Sequence, residues 1–362
     1  MISSVNHSAS LGKGCGSLHE TQDQRAITAP ITAFSALALS PEDLPELIAR
    51  AFAVFDSERP RPVHISVPLD VLAAKVARDW TGEVRRRPAR GPAAAADIQQ
   101  AADTLRKAKR PMIIAGGGAL HAAEQLRVLS TRLGAVCFSS VAGKGLLPEE
   151  APLNAGATLC VEPGWQLISQ ADVVLAVGTE MADTDYWRER LPLNGELLRL
   201  DIDPRKFNDF YPCSVALHGD ARATLDALLQ ALPPTPAEAG AAIHAVADLR
   251  QAVQNGQGPL QQIHRSILQR IAAELPEHGF IASDMTQLAY SGNYLYPTRA
   301  TRSWLHPTGY GTLGYGLPAG IGAKLGAPER PGLVLVGDGG FLYTVQEPVS
   351  YTHLRAHETS LH

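Results

Sequence analysis

The sequence predicts an α/β protein made of three doubly wound parallel-sheet domains, the first and last incomplete. Three observations predict it. Short apolar runs, 112–115, Val173–Val177 and 333–336, have the length and composition of buried parallel strands, and Val63–Pro68 reads as a further short strand. Helical patterns separate them, as a parallel sheet covered by helices requires. Two proline-rich stretches, 85–96 and the run that opens at Pro233, divide the chain into thirds.

The elements come in order along the chain. Ile2–Val5 reads as the tail of a strand with no earlier strand to pair with, so the first domain is expected to lack its front part. Ser40 is placed to cap a helix that has Pro41 at its first position and Glu42 and Asp43 against its dipole. Leu44, Leu47, Ile48, Ala51, Phe52 and Phe55 then share one helical face. The strand Val63–Pro68 comes next, and Arg85-Arg86-Arg87-Pro88 through Ala96 read as an exposed linker. The second domain is expected to open with a helix near Asp97. Strands are expected at 112–115, 136–138, Val173–Val177 and 197–202, and Gly116, Gly117 and Gly118 follow the first of them. Pro233-Pro234-Thr235-Pro236 begins a second linker that runs to the next helix. That helix, 260–275, uses Ile263, Ile267, Leu268 and Ile271, and leads to the strand Phe280–Ser283 and to Asp284. A long loop is expected to carry Tyr290, Asn293, Tyr294 and Tyr296. The glycine-dense stretch 309–319 starts a helix of small residues that runs through Leu325. So many glycines beside a helix start imply close backbone approach, to a ligand, to another chain or to the helix's own sheet.

Composition narrows the function. Of 362 residues, 45% are hydrophobic and 19% charged, and the formal net charge of -4 gives no reason to expect nucleic acid or an anionic membrane as partner. No apolar run approaches a membrane span, and the first residues lack the basic-then-apolar order of a signal peptide. Cys15, Cys137, Cys160 and Cys213 are too scattered for a metal site, which fits idle thiols in a cytoplasmic protein. There is no Gly-x-Ser-x-Gly elbow and no phosphate-binding P-loop. Gly116-Gly117-Gly118 starts like a dinucleotide fingerprint, but His121 stands where the third small residue belongs, so a plain strand-to-helix turn is the better reading.

The most informative motif is Gly337-Asp338-Gly339-Gly340, straight after the apolar run 333–336. Its glycines would let backbone N–H groups approach phosphate oxygens, and Asp338 supplies a hard oxygen for Mg²⁺. Other stretches join it: Leu18-His19-Glu20 with Asp23-Gln24, 62–70, Gly143-Lys144-Gly145, Asp201-Ile202-Asp203-Pro204 and 311–319. In this order and spacing the chain resembles the thiamine diphosphate-dependent 2-oxo acid decarboxylase and acetolactate synthase-like family. Residues 2–6, 50–56 and Trp304 with 309–316 bring it nearest the 5-guanidino-2-oxopentanoate decarboxylase branch.

The resemblance implies thiamine diphosphate and Mg²⁺ as cofactors, a small 2-oxo acid as substrate and a homodimer or tetramer as assembly. FAD is implied only if the chain is an acetolactate synthase, and a noncatalytic nucleotide-binding remnant is the other alternative. Domains are then expected at 1–84 (pyrimidine-binding part), 97–232 (central) and 260–347 (diphosphate and Mg²⁺). By resemblance Asp338 ligates the metal, while Gly337, Gly339 and Gly340 meet the diphosphate. Gly311 and Thr312 line the cofactor, and Leu313 is the apolar residue that props it into a bent shape. No catalytic residue is assigned, because the family's activating glutamate has no counterpart here. The asparagine pair that completes the family's metal shell is also missing, so the chain itself is expected to be inactive. Residues 348–362 leave the family pattern and read as a non-native, disordered tail. His353, His357 and Glu358 have metal-binding spacing within it.

Overall fold

A computed structural model of the chain describes residues 1–76, 79–80 and 89–354. The chain forms two compact units, Met1–Arg90 and Gly91–His362. Residues 85–88 of the expected first linker, together with His357 and Glu358, lie outside the described residues.

The first unit runs β1 (Ile2–Val5), α1 (Gln24–Thr28), β2 (Phe34–Leu37), α2 (Leu44–Ser57), β3 (Val63–Pro68) and α3 (Leu69–Ala73). Its sheet is parallel in the order β1-β3-β2, so Ile2–Val5 does have a partner, the central strand β3. Backbone N–H groups of Leu39 and Ser40 donate to the Asp43 carboxylate at 2.7 and 3.0 Å, which sets the start of α2. Leu44, Leu47, Ile48 and Ala51 face the core as expected, but Phe52 and Phe55 do not. Ala51 and Val54 pack on Val63, Ile65 and Val67, whereas Phe52 and Phe55 lean outward and meet edge to face with centroids 5.8 Å apart. A stripe as wide as Leu44 to Phe55 can bury only one side against a three-stranded sheet.

In the second unit, α4 (Ala95–Lys107), β4 (Pro111–Ala115), α5 (Ala123–Leu133), β5 (Val136–Ser139) and β6 (Asn154–Gly156) are followed by α6 (Glu162–Ile168) and β7 (Val173–Val177). Then come β8 (Glu196–Asp201), β9 (Val215–His218), α7 (Ala221–Ala231) and α8 (Gly240–Asn255). The six strands form a parallel sheet, β6-β5-β4-β7-β8-β9, with its switch in direction between β4 and β7. Side-chain alternation explains the apolar runs. Ile113 and Ala115 join one core with α4, α5 and α7, while Met112 and Ile114 join a second core with α6 and α8.

Two sequence expectations are corrected here. The expected linker stops short of 93–96: Ala93 is buried, its N–H donates to the Thr224 hydroxyl at 3.0 Å, and the exposed Ala95 and Ala96 already belong to α4. The second linker is largely helix. Val246, Leu249 and Val253 of α8 are buried against the sheet, a spacing of three and four residues that its many alanines obscure.

The chain continues with α9 (Pro259–Glu274), β10 (Phe280–Ser283), α10 (Gln287–Leu295), β11 (Trp304–Leu305), α11 (Gly316–Gly326), β12 (Gly332–Leu335), α12 (Asp338–Tyr343) and α13 (Glu347–Leu354). The parallel sheet has the order β11-β10-β12. Leu268 faces its core, but Ile263 and Ile267 are exposed, contrary to the expected face of α9. The segment with Tyr290, Asn293 and Tyr294 is helix α10 rather than loop, and only Tyr296 lies just past its end. Thr286 caps it by accepting the Ala289 N–H at 3.1 Å. β12 is an edge strand and only half-buried, so 333–336 is parallel but not enclosed. Residues 348–354, part of the stretch expected to be disordered, belong to α13.

Candidate functional site

Three turns meet at the carboxyl end of β10, the place where open α/β sheets take ligands. They are the β10–α10 turn at Asp284, the glycine-rich loop before α11, and the β12–α12 turn that carries Gly337 to Gly340.

The last of these has two faces. Gly337 is extended and half-buried (φ -79°, ψ 161°), and Asp338, the first residue of α12, is exposed. A Cβ on Gly339 would meet nothing within 4 Å, whereas one on buried Gly340 would lie 2.7 Å from the Asp284 carboxylate. Gly339 therefore fronts open space and Gly340 fronts the protein. With six residues, α12 contributes little dipole, so an anion here would depend on individual N–H groups and on any metal.

The loop before α11 presents its own open side. Gly311 has φ +69° and Gly314 φ +83°, values that favour glycine. Thr312 is exposed and Leu313 is 50% exposed, an apolar side chain at the lip of the site. Gly314 is buried, with Tyr343 Cβ and Thr344 Cγ2 each 3.1 Å from where its Cβ would stand. The two motifs singled out from sequence thus lie side by side. Part of the glycine density has a plainer cause: Gly316 and Gly320 let α11 press on Asp284 and on Val334 of β12.

Asp284 joins the pieces, and sequence reasoning gave it no role. It is fully buried. Its Oδ2 accepts the Gly314 N–H at 2.7 Å, its Oδ1 accepts the Met285 N–H at 2.8 Å, and its own N–H donates to Leu335 at 2.8 Å. The only sequence signal was an acid at the end of a predicted strand.

Beside it, Ser283 Oγ lies 2.8 Å from His306 Nδ1. Burial lowers the His306 pKa from 6.5 to about 4, opposed by the nearby negative charge of Asp284. The folded chain keeps this imidazole neutral while the unfolded chain takes up a proton. Stability is therefore complete above pH 6.5 and falls as pH drops from 6.5 to about 4, by on the order of 2–3 kcal/mol for this residue. Urea midpoints recorded across that window should show a shallower acid slope for His306→Asn than for the unaltered chain. Equal slopes would contradict the assignment. His64, whose pKa burial also lowers, acts in the same sense on the first unit.

Among the described residues no three His, Cys, Asp or Glu side chains converge on a possible metal position. A metal at Asp338 would take its other ligands from phosphate oxygens, backbone carbonyls and water, which suits Mg²⁺ with its preference for one or two carboxylates. The residues present fit such an ion together with a diphosphate: an exposed carboxylate, an adjacent open glycine and a neighbouring apolar lip.

The Gly116 turn has a different character. A Cβ at Gly116 would lie 2.4 Å from the Gly178 carbonyl oxygen and one at Gly118 2.9 Å from Gly178 Cα. The turns after β4 and β7 therefore close on each other, as the plain-turn reading expects.

Comparison with known proteins decides the family. The thiamine pyrophosphate enzyme central domain matches residues 98–228, and the C-terminal thiamine pyrophosphate binding domain matches residues 284–355, beginning at Asp284. The chain belongs to the thiamine pyrophosphate enzymes. Its α/β architecture of parallel sheets is that of the family. A protein named "Probable 2-ketoarginine decarboxylase" from Pseudomonas aeruginosa is 72% identical over 347 residues, covering 96% of this chain and 62% of its own length. The acetolactate synthase isozyme 1 large subunit of Escherichia coli is 30% identical over 339 residues, 90% of this chain and 58% of its own. The sulfoacetaldehyde acetyltransferase of Castellaniella defragrans is 26% identical, over 93% of this chain and 61% of its own. This thiamine pyrophosphate enzyme chain thus spans about three-fifths of the length of these relatives. No helix among its described residues is long and apolar enough to cross a membrane.

Proposed function

We propose that the chain is the greater part of a thiamine diphosphate- and Mg²⁺-dependent enzyme that decarboxylates a 2-oxo acid, with 5-guanidino-2-oxopentanoate as substrate. The observation that carries this is the 72% identity, over almost the whole chain, to a protein named for that activity, against 30% to an acetolactate synthase. The chemistry supplied by bound thiamine diphosphate is uptake of the electron pair left when CO₂ departs. The chain's task is to hold and orient. Asp338 ligates Mg²⁺, and Gly337, Gly339 and Gly340 turn backbone toward the diphosphate. Gly311 and Thr312 border the cofactor, and Leu313 offers an apolar wall that fixes its shape and keeps water away.

In this reading the domains lie at 1–84, 97–232 and 260–347, and the working enzyme is a homo-oligomer. Flavin is left out of this reading, since it was implied only for an acetolactate synthase and that relative is 30% identical against 72% for the decarboxylase.

The test is an exchange of segments. The 347-residue matched stretch, placed into the Pseudomonas aeruginosa relative, should preserve CO₂ release from 5-guanidino-2-oxopentanoate. Acetolactate formation from pyruvate without that release would favour the synthase instead.

A further inference from the structure

We infer that Asp284 is a positioning residue: its buried carboxylate pins the Leu313 loop to the β12–α12 turn and so fixes the gap between apolar lip and metal ligand. The inference rests on the cofactor placement just proposed and names a residue that placement does not use.

The geometry points this way from four sides. β10 is the middle strand of its sheet, so the residue at its end can touch the segments that leave both neighbouring strands. On one side, Oδ2 accepts the Gly314 N–H at 2.7 Å, directly after Leu313 in the chain. On another, Gly340 packs so closely that a Cβ there would stand 2.7 Å from the same oxygen. The Asp284 N–H, held by Leu335 at 2.8 Å, prevents the residue from backing away. Gly316 closes the fourth wall, since its Cβ would lie 2.9 Å from the Asp284 nitrogen.

Burying a carboxylate is costly unless hydrogen bonds compensate it, and here backbone N–H groups of two separate turns do so. Asparagine cannot replace it without loss. Its side chain has one acceptor oxygen for the two N–H donors of Met285 and Gly314, and its amide would point hydrogens at one of them. A neutral apolar residue would leave both donors unmatched. The requirement is for an acceptor at both ends, which only an ionised carboxylate of this length supplies in the space that Gly340 leaves.

Asp284→Asn tests this by two readouts. Amide hydrogen exchange at Gly314 and its neighbours 311–315 should quicken at least tenfold. Calorimetric affinity for thiamine diphosphate with saturating Mg²⁺ should fall at least tenfold. Leu198→Ala, in the central sheet's core, serves as a control for general destabilisation and should move neither. Unchanged exchange in Asp284→Asn overturns the pin. Faster exchange with unchanged affinity overturns its link to the cofactor. If the unaltered chain takes up no thiamine diphosphate, the cofactor placement falls, and with it that link, while the exchange result still decides whether Asp284 holds the two turns together.

Discussion

Gly340→Ala is expected to disable the site while Gly339→Ala leaves the fold intact, although the two glycines are adjacent and look equivalent in the sequence. A methyl group on Gly340 would stand 2.7 Å from the Asp284 carboxylate and 3.5 Å from Val336 Cγ2. The carboxylate cannot retreat, because the Gly314 and Met285 N–H groups hold it and the Leu335 carbonyl holds the Asp284 backbone N–H. The turn must move outward instead, at a cost of about 1–3 kcal/mol, as is usual for overpacking. That displacement carries Asp338 away from Leu313, so thiamine diphosphate binding should be lost with it. Gly339 has nothing within 4 Å, and its alanine variant should melt within a degree or two of the unaltered chain. Its methyl group would nonetheless stand where the diphosphate is proposed to lie, so affinity should drop there too. Thermal melts and cofactor titrations on both variants separate the cases. Equal melting temperatures would contradict the packing argument.

Asp338→Asn should produce the largest change in cofactor affinity for the smallest change in stability. The side chain is exposed, so its removal leaves no buried partner unsatisfied, and melting should be nearly unaltered. It is also the one carboxylate assigned to the metal, and an amide is a much poorer ligand for Mg²⁺. Affinity for thiamine diphosphate at fixed Mg²⁺ should fall roughly 100-fold, about 2.7 kcal/mol, and excess Mg²⁺ should recover part of it. A fall that ignores the Mg²⁺ concentration would mean that Asp338 acts on the diphosphate turn rather than on the ion.

The parts of the fold legible in the sequence are those where a short-range pattern has a single physical cause. β4 and β7 are buried on both faces and read as apolar runs, and β3 and β10 are buried throughout although His64, Ser66 and Ser283 interrupt them. β6 (Asn-Ala-Gly) and β11 (Trp-Leu) are too short to show any pattern and exist because a neighbouring strand offers hydrogen bonds. α8 was hidden behind prolines and alanines, and α10 behind tyrosines and asparagine, which suggest a loop until Thr286 is recognised as a cap. The orientation of Phe52, Phe55, Ile263 and Ile267 was likewise not legible, since periodicity gives the width of an apolar stripe but not which edge meets the sheet.

The site divides in the same way. Its glycine turns and Asp338 stand out because backbone geometry and metal chemistry restrict the residue type locally. Asp284 does not stand out, because its importance arises from the meeting of residues 30 apart, Asp284 with Gly314, in three dimensions.

The most direct test of the central claim is to follow backbone amide resonances of the chain while thiamine diphosphate is added with Mg²⁺. The account predicts Mg²⁺-dependent shifts at Gly339, Gly340 and Leu313, with Gly116, Gly117 and Gly118 unmoved. Shifts centred on Gly116 to Gly118, or the same shifts at Gly339 and Gly340 without Mg²⁺, would contradict it.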